Sequence, residues 1–577
     1  MSARALDRVA VAGAGAAGAF FTLELSRLRP DVAIDLYDRE DRSPGAGIVM
    51  SWEFAERVGA SHPGAFDLPR SAMATWDRTL TVAGGERIWS GAYGMFGLSR
   101  RAFRAHLRSL VRALPNVRFV ERTLTTPPAG HDLLVAADGA NSRMRAPYEK
   151  EFGTRTTTGR TRFLWMSTPA VLEPTFVLRP VDGGLLIVHS YPHADGESTF
   201  IVEADPGTLA RQGLLDRPIP EVERALAEIF ADELGGAPLR AQTTGWRAFP
   251  TISNERWHHT VHDTVHHTVH DAAGRDDAGK HIVLIGDAAH TVHFSIGSGT
   301  ALAIDDALCL ARSLAERPSV AEGLAEYAAT RRPVLRRTQQ EAHDSQRWFE
   351  TLSRRERLRG HQTVFALRSR REANTFERLR ERDPEFVGRA VEVLAGGPTT
   401  AEPAELPITI GHARLTGRMV HFDGHAGTLL FPTSRGDDRC QVAGPEETLG
   451  HRASSVVLVE EGRHADPSAV AGRLRATGAS AVGLLVSGFP RRAGGVPPRF
   501  DFLAVPAQEG AGRVERTRLA DRLRYETGLP VLLLSPRRLP RDEINTLLVA
   551  GRIDMVAFAD AEEIARVAAA EPRGHAA

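Results

Sequence analysis

Three short stretches carry residue types whose spacing could do chemistry. The first is Gly13-x-Gly15-x-x-Gly18, set between an apolar run, Val9 to Ala12, and a helical stretch, Ala16 to Leu28. Gly13 permits a tight turn, Gly15 lets backbone approach a pyrophosphate, and Gly18 lets helix pack closely on strand. The phosphate would sit at the helix N-terminus, where unpaired N–H groups and the dipole favour an anion. Asp38 closes the next strand, Val32 to Tyr37, and can accept hydrogen bonds from a ribose. The second stretch is Asp138-Gly139 in LLVAADGANSRMR, which brings an acid, a glycine, Arg143 and Arg145 to one loop. A plain strand-to-helix turn accounts for that Asp-Gly equally well. The third is Gly286-Asp287-Ala288-Ala289-His290, at the end of a buried strand. His290, His293 and Phe294 follow in a loop, and a helix starts near Gly297-Ser298-Gly299. That helix start is placed to stabilise negative charge on a bound ring; one more βα unit with solvent-facing histidines is the plainer alternative.

The elements that must position these residues follow from periodicity. The first forty residues read strand, glycine turn, helix, strand, a βαβ unit. Val9 to Phe21 after Arg4 and Arg8 could pass for a signal-peptide core, but the glycine spacing and the acid at the next strand end favour the βαβ reading. Arg100 to Leu114 reads as a helix, Asp132 to Ala137 as a strand, and 160–203 as strand-rich, an inserted antiparallel sheet. His281 to Ile285 is a strand before a long helix; 335–395 is helical and charged; after Gly396-Gly397-Pro398 a second α/β unit begins. The expected division is 1–160 and 279–335 for a Rossmann-like domain in two parts, 161–278 for the sheet, 336–397 helical, and 398–577 for the last unit. The run from His258 to Asp271 repeats a four-residue unit and holds six histidines. It reads as an expanded surface loop, and no metal site is expected there.

Composition narrows the class. The chain has 577 residues, 42% hydrophobic and 25% charged, as in ordinary soluble globular proteins. Lys plus Arg and Asp plus Glu both number 72, so nothing calls for nucleic acid or an anionic membrane as partner. Two cysteines, Cys309 and Cys440, fit a reducing cytoplasm, the expected location. No apolar run reaches the roughly 20 residues of a membrane helix.

Taken together and in this order, the three motifs resemble those of the group A FAD-dependent aromatic monooxygenases, over about residues 8–395. GAGIVMSWEF (Gly45–Phe54), SYPHADGESTFIVE (Ser190–Glu203), ERWHH (Glu255–His259) and above all GDAAHTVHFSIGSGTALAIDDA (Gly286–Ala307) are similar to the subgroup that hydroxylates aromatic acyl-CoA thioesters, the salicylyl-CoA 5-hydroxylase and 2-aminobenzoyl-CoA monooxygenase group. The resemblance implies a GR2-type FAD domain with an inserted β-sheet substrate domain. It implies FAD held by Gly13, Gly15, Ala17, Gly18, Asp38, Arg39, Gly47, Arg100, Asp138, Gly139, Gly286, Asp287, Gly297, Ser298 and Gly299, with Asp287 on a ribityl hydroxyl and Arg100 near the pyrophosphate. It implies NADH or NADPH as a transient reductant. Trp52 and Phe294 are expected in the substrate pocket, with His293, His290 and Ser295 as candidate catalytic residues. An alternative outcome on the same scaffold is epoxidation or dioxygenation of a ring-expanded, tropone-type or polyketide intermediate in antibiotic biosynthesis.

The tail is similar in pieces to the FMN barrel of old yellow enzyme, in ITIGHARLTGRMV (Ile408–Val420) and Leu523 to Asp560. About 175 residues remain for it, where a (β/α)₈ barrel takes at least about 200. Ser535-Pro536-Arg537 replaces the expected glycine-rich turn, and Asp560 stands where the family places a phosphate-binding arginine. The expectation is a shortened barrel remnant without FMN, serving packing or homodimerisation; a still-closed small barrel is the alternative.

Overall fold

The computed structural model describes residues 6–39, 47–91, 94–261, 280–354, 358–425, 428–443, 456–461, 466–486, 499–510, 512–562 and 564. The chain forms two compact units, 1–82 with 91–350, and 83–90 with 351–577.

The first unit is built on a six-stranded sheet in the order His258–Val261, Lys280–Leu284, Leu133–Ala136, Arg8–Ala12, Ala33–Asp38, Val117–Glu121. The last five are parallel, and His258–Val261 runs antiparallel on the edge. The central strands are apolar on both faces because helices cover the sheet. Helix Ala16–Leu28 packs against helix Gly299–Glu316. Their shared face is made of small residues, so the two backbones approach closely. A Cβ on Gly286 would stand 3.1 Å from both Ala17 and Ala303.

Five neighbouring strands of a seven-stranded sheet have the order Arg240–Ala241, Arg162–Thr168, Glu197–Ala204, Gly184–Ala194, Thr175–Val181, with antiparallel pairing throughout that run. A three-stranded antiparallel sheet, Gly47–Ser51, Met95–Ser99 and Met73–Trp76, precedes these five strands in the chain and was not foreseen. The Ser99 hydroxyl accepts the N–H of Ala102 and starts helix Arg100–Arg112. The expected boundary at 335/336 is corrected: one helix runs from Val320 to Glu350, through Pro333, whose ring is exposed. Of the histidine-rich run, His258 to Val261 form the edge strand, and the rest lies outside the described residues.

The second unit carries helices Gly360–Arg368, Phe376–Arg382 and Pro384–Ala395, then a hairpin, Ile408–Ile410 with Ala413–Leu415. Eight strands then close a ring: Met419–Asp423, Thr428–Thr433, Gly436–Val442, Val456–Glu460, Ala481–Leu485, Phe502–Pro506, Val531–Leu534 and Met555–Ala557, the last pairing with the first. Seven are parallel; Thr428–Thr433 is antiparallel to both neighbours. The ring therefore closes in fewer residues than a (β/α)₈ barrel needs. Antiparallel neighbours are joined by tight turns, whereas each parallel step takes a crossover. Alternate residues, among them Val456, Leu458, Phe502, Ala504, Leu532 and Leu534, fill the interior with Phe431 and Met555. The intervening ones, such as Val457, Leu503 and Leu533, pack on helices. Gly483 leaves room for the Phe502 ring, with which an added Cβ would collide. Gly483→Val is expected to lower the stability of this unit by about 1–3 kcal/mol through overpacking, read as a lower midpoint of its thermal or denaturant transition.

Candidate active site

The motif-bearing strands Lys280–Leu284, Leu133–Ala136 and Arg8–Ala12 are immediate parallel neighbours, with Ala136 level with both Ala12 and Leu284. All three motif turns therefore leave the sheet at one edge. Gly13 has φ 102°, donates its N–H to Tyr37 O at 2.7 Å, and has no room for a Cβ against Ala137 O. A Cβ on Gly18 would collide with Gly13 O. Gly15 is different. It starts helix Ala16–Leu28 with no side chain capping the first turn, and a Cβ there would meet no protein atom within 4 Å. The first-turn N–H groups thus face open space, as an anion site requires.

The second and third turns are clasped together. Arg145 is buried and donates to Ala288 O at 2.8 Å and Ala140 O at 2.7 Å. Desolvation lowers the Arg145 pKa, which the nearby charges of Glu149 and Asp138 oppose. Asp138 accepts from the Ser142 hydroxyl at 2.5 Å and from the N–H of Arg143 and Met144 at 2.7 and 3.2 Å, so its carboxylate organises its own turn. Gly139, at φ 85°, has open space beside it. Desolvation raises the Asp287 pKa, which the charges of His290 and Arg100 oppose, and the charge of Arg100 also acts on Tyr191. Helix Gly299–Glu316 begins after Gly297, in the left-handed region, and Ser298, whose hydroxyl bonds Ile296 O at 3.1 Å and leaves the first turn uncapped.

Asp38 is buried and accepts from Arg104 at 2.6 Å and from the N–H of Arg39 at 3.0 Å; Arg39 itself is exposed. Arg104 had no signal in the sequence beyond its place on a basic helix. Gly47 donates its N–H to Thr199 at 2.9 Å and accepts the Tyr191 hydroxyl at 3.0 Å, and a Cβ there would press on the His193 ring. Burial pushes the Tyr191 pKa up to about 12.

The loop after Gly286-Asp287 delivers Phe294 into a ring of aromatic side chains. Phe163, Trp165, Phe249, His189 and His293 stand 4.2–5.9 Å from it, centroid to centroid. Trp52 stacks on Phe96 at 4.6 Å, so the two aromatic residues expected together belong to different ring clusters among the described residues. His293 Nδ1 meets Ser295 Oγ at 2.9 Å, and Ser295 Oγ meets Ser345 Oγ at 2.7 Å. His290 turns away. Its Nε2 bonds buried Asp306 at 2.5 Å, and Asp306 is paired with Arg331 at 2.8 Å. Desolvation would raise the Asp306 pKa, but His290 and Arg331 together hold it below the ordinary carboxylate value. Glu203, missed in the sequence, is fully buried behind the ring cluster. Its Oε1 accepts from Thr161 at 2.6 Å and its Oε2 lies 3.3 Å from His189 Nε2.

No helix among the described residues is long and apolar enough to cross a membrane, and no cluster of three or more metal-ligating side chains occurs among them. Residues 130–342 match the family model described as FAD binding domain. The chain is 32% identical over 428 residues to salicyloyl-CoA 5-hydroxylase of Streptomyces sp, covering 72% of this chain and 78% of that protein. It is 33% identical over 348 residues to 3-hydroxy-4-methyl-anthranilyl-[aryl-carrier protein] 5-monooxygenase of Streptosporangium sibiricum, covering 60% and 90%. Among solved structures it is similar to 2-methyl-3-hydroxypyridine-5-carboxylic acid oxygenase, at 19% identity and TM-score 0.46 over 59% of this chain and 91% of that one.

Two expectations follow from the geometry. Gly15→Val adds bulk only where no protein atom stands, so it is expected to fold normally and lose FAD, whereas Gly18→Val is expected not to fold; visible flavin absorbance and thermal unfolding of the two proteins check this. Asp306→Asn leaves Arg331 and His290 without their anion, and is expected to cost about 3–5 kcal/mol, measured by denaturant unfolding.

Proposed function

Because the chain belongs to the FAD-dependent aromatic monooxygenases, we propose that it inserts one oxygen atom from O2 into a hydroxylated or aminated aromatic ring presented as a thioester, on coenzyme A or a carrier protein. The observation that carries this reading is the aromatic cluster around Phe294, on the loop that leads from Gly286-Asp287 into helix Gly299–Glu316. The names of the two 32–33% identical relatives, one acting on a salicyloyl-CoA and one on an anthranilyl-[aryl-carrier protein], support the thioester.

Bound FAD, reduced by NADH or NADPH, supplies the activation of oxygen. The chain's own residues do the rest. The open N-terminus at Gly15 takes the pyrophosphate, with Arg100 nearby as countercharge. Gly13, Gly18 and Ala17 allow that approach by close packing rather than by contact with the nucleotide. Asp287 is placed for the ribityl chain. Asp38, already bound to Arg104, takes the ribose with its remaining lone pairs. Asp138 shapes the turn that carries Gly139, and Gly297 with Ser298 sets the entry of the helix whose positive end faces the ring. Phe294 and its neighbours hold the aromatic substrate and exclude water, which protects the activated oxygen from wasteful release. His293 accepts a proton from a substrate hydroxyl through Ser295, raising electron density on the ring. His290 fixes the loop from behind through Asp306.

The test is NAD(P)H oxidation with a panel of aryl-CoA thioesters and the matching free acids, followed by product analysis. Stimulation by salicyloyl-CoA or aminobenzoyl-CoA with a monohydroxylated product is expected. Stimulation by the free acids alone would remove the thioester.

A further inference from the structure

We propose that Glu203 is a positioning residue for oxygenation: with His189 it forms a buried relay that sets the tautomer of His293 and steadies the positive charge His293 acquires on taking the substrate's proton. This rests on the reading of His293 and Ser295 given above. Neither the sequence motifs nor the relatives' names point to Glu203.

The tautomer follows from donors and acceptors. The backbone N–H of Ser295 can only donate, and it points at His293 Nδ1 at 3.4 Å. Nδ1 is therefore the acceptor, and in the neutral ring the proton sits on Nε2. Nε2 faces Glu203 Oε1 at 3.9 Å, within ion-pair distance. A carboxylate there favours Nε2–H and leaves the Nδ1 lone pair aimed at Ser295 Oγ, 2.9 Å away. The transfer balances: the substrate O–H breaks, its proton joins Ser295 Oγ, the former Ser295 proton joins His293 Nδ1, and the substrate is left as the phenolate. Glu203 changes no bond.

The surroundings keep Glu203 ionised. Its side chain is inaccessible to solvent. Desolvation raises its pKa, yet hydrogen bonding from His189 and Thr161 and the nearby His293 bring it below the ordinary value. The charged groups facing it are His189 on strand Gly184–Ala194, His293 on the loop, and Glu350 at the end of helix Val320–Glu350, where Arg160 and Arg347 also act. Glu350 moves the opposite way. Burial raises its pKa, and the charge of Glu203 adds to that rise. The carboxylate of Glu203 lies 3.9 Å from His293 Nε2 and favours the protonated ring, so removing it is expected to lower the pH at which His293 protonates.

The experiment is ¹⁵N-histidine NMR of the FAD-loaded enzyme across pH, with His293 assigned by difference from His293→Asn, in wild type and Glu203→Gln. The expected result is a neutral His293 protonated at Nε2, whose titration midpoint falls to lower pH in Glu203→Gln. With whichever aryl-CoA thioester stimulates NAD(P)H oxidation, the acid limb of the hydroxylation rate should move to lower pH in that variant. Its plateau should fall about 10–100-fold, the usual loss when the partner that orients a working group is removed. NAD(P)H oxidation without hydroxylation, or its absence with every thioester, bears on the substrate reading and leaves the NMR result to decide the relay. An unchanged midpoint would overturn the proposal. So would a neutral ring protonated at Nδ1, which wild type alone reveals if Glu203→Gln does not accumulate.

Discussion

The first unit depends on one constraint: parallel neighbours must end at the same edge. Arg8–Ala12, Leu133–Ala136 and Lys280–Leu284 lie far apart in the chain, and each adds its turn to one row. Parallel pairing forbids a short return, so the intervening chain has to leave the sheet and come back. The strands Arg162–Thr168 to Arg240–Ala241 fill the return between Leu133–Ala136 and Lys280–Leu284. Ligands in such open sheets bind beyond the carboxyl ends of the strands, and here that edge is also where the aromatic loop departs. The position of the proposed oxygenating site beside the proposed nucleotide site is thus a consequence of strand order. The glycines then act in two ways: Gly13 and Gly18 make room for protein, while Gly15 makes room for ligand.

Asp306 and Glu203 are both buried, and their partners separate their tasks. Asp306 has an arginine and a histidine within 2.8 Å. An arginine does not lose its proton in proteins, so that pair is a fixed charge, and its work is to hold the Gly286 turn. Asp306 also takes the N–H of Gly286 itself at 3.2 Å. Among the described residues, Glu203 is bonded by a hydroxyl and an imidazole, with a second imidazole 3.9 Å away. No arginine or lysine pairs with Glu203 among the described residues, whereas Arg331 pairs with Asp306. Residue type alone would not have distinguished the two.

The parts of this arrangement legible in the sequence are those whose physics is local. Glycine spacing, the acid at a strand end and the apolar strands all act within a few residues, and they indicated the βαβ unit, the three turns and the separate tail. What stayed hidden acts across the chain. Arg104 meets Asp38 from a helix 66 residues away. Glu203 sits in Glu197–Ala204, a strand buried on both faces, so its alternation carries no inside-outside signal. His290 and His293 looked equivalent in one loop, and only Asp306 and Arg331, on two later helices, draw His290 away. The helix through Pro333 runs across the expected 335/336 boundary.

The second unit shows how a short chain can still close a ring and what that closure costs in function. Side chains from all eight strands meet inside it, so its centre is packed core and only the rims can serve a ligand. At the end of Val531–Leu534, the Ser535 hydroxyl is turned onto Arg537 O at 2.7 Å, and its N–H bonds Ala557 O at 2.9 Å. After Met555–Ala557, Asp560 accepts the N–H of Glu562 at 2.8 Å. A phosphate at this rim would need such backbone donors free and a cation beside them. Here the Ser535 and Glu562 N–H groups bond the protein itself, and Asp560 adds a negative charge. The ring's packing stands on its apolar interior and helix-covered outer face.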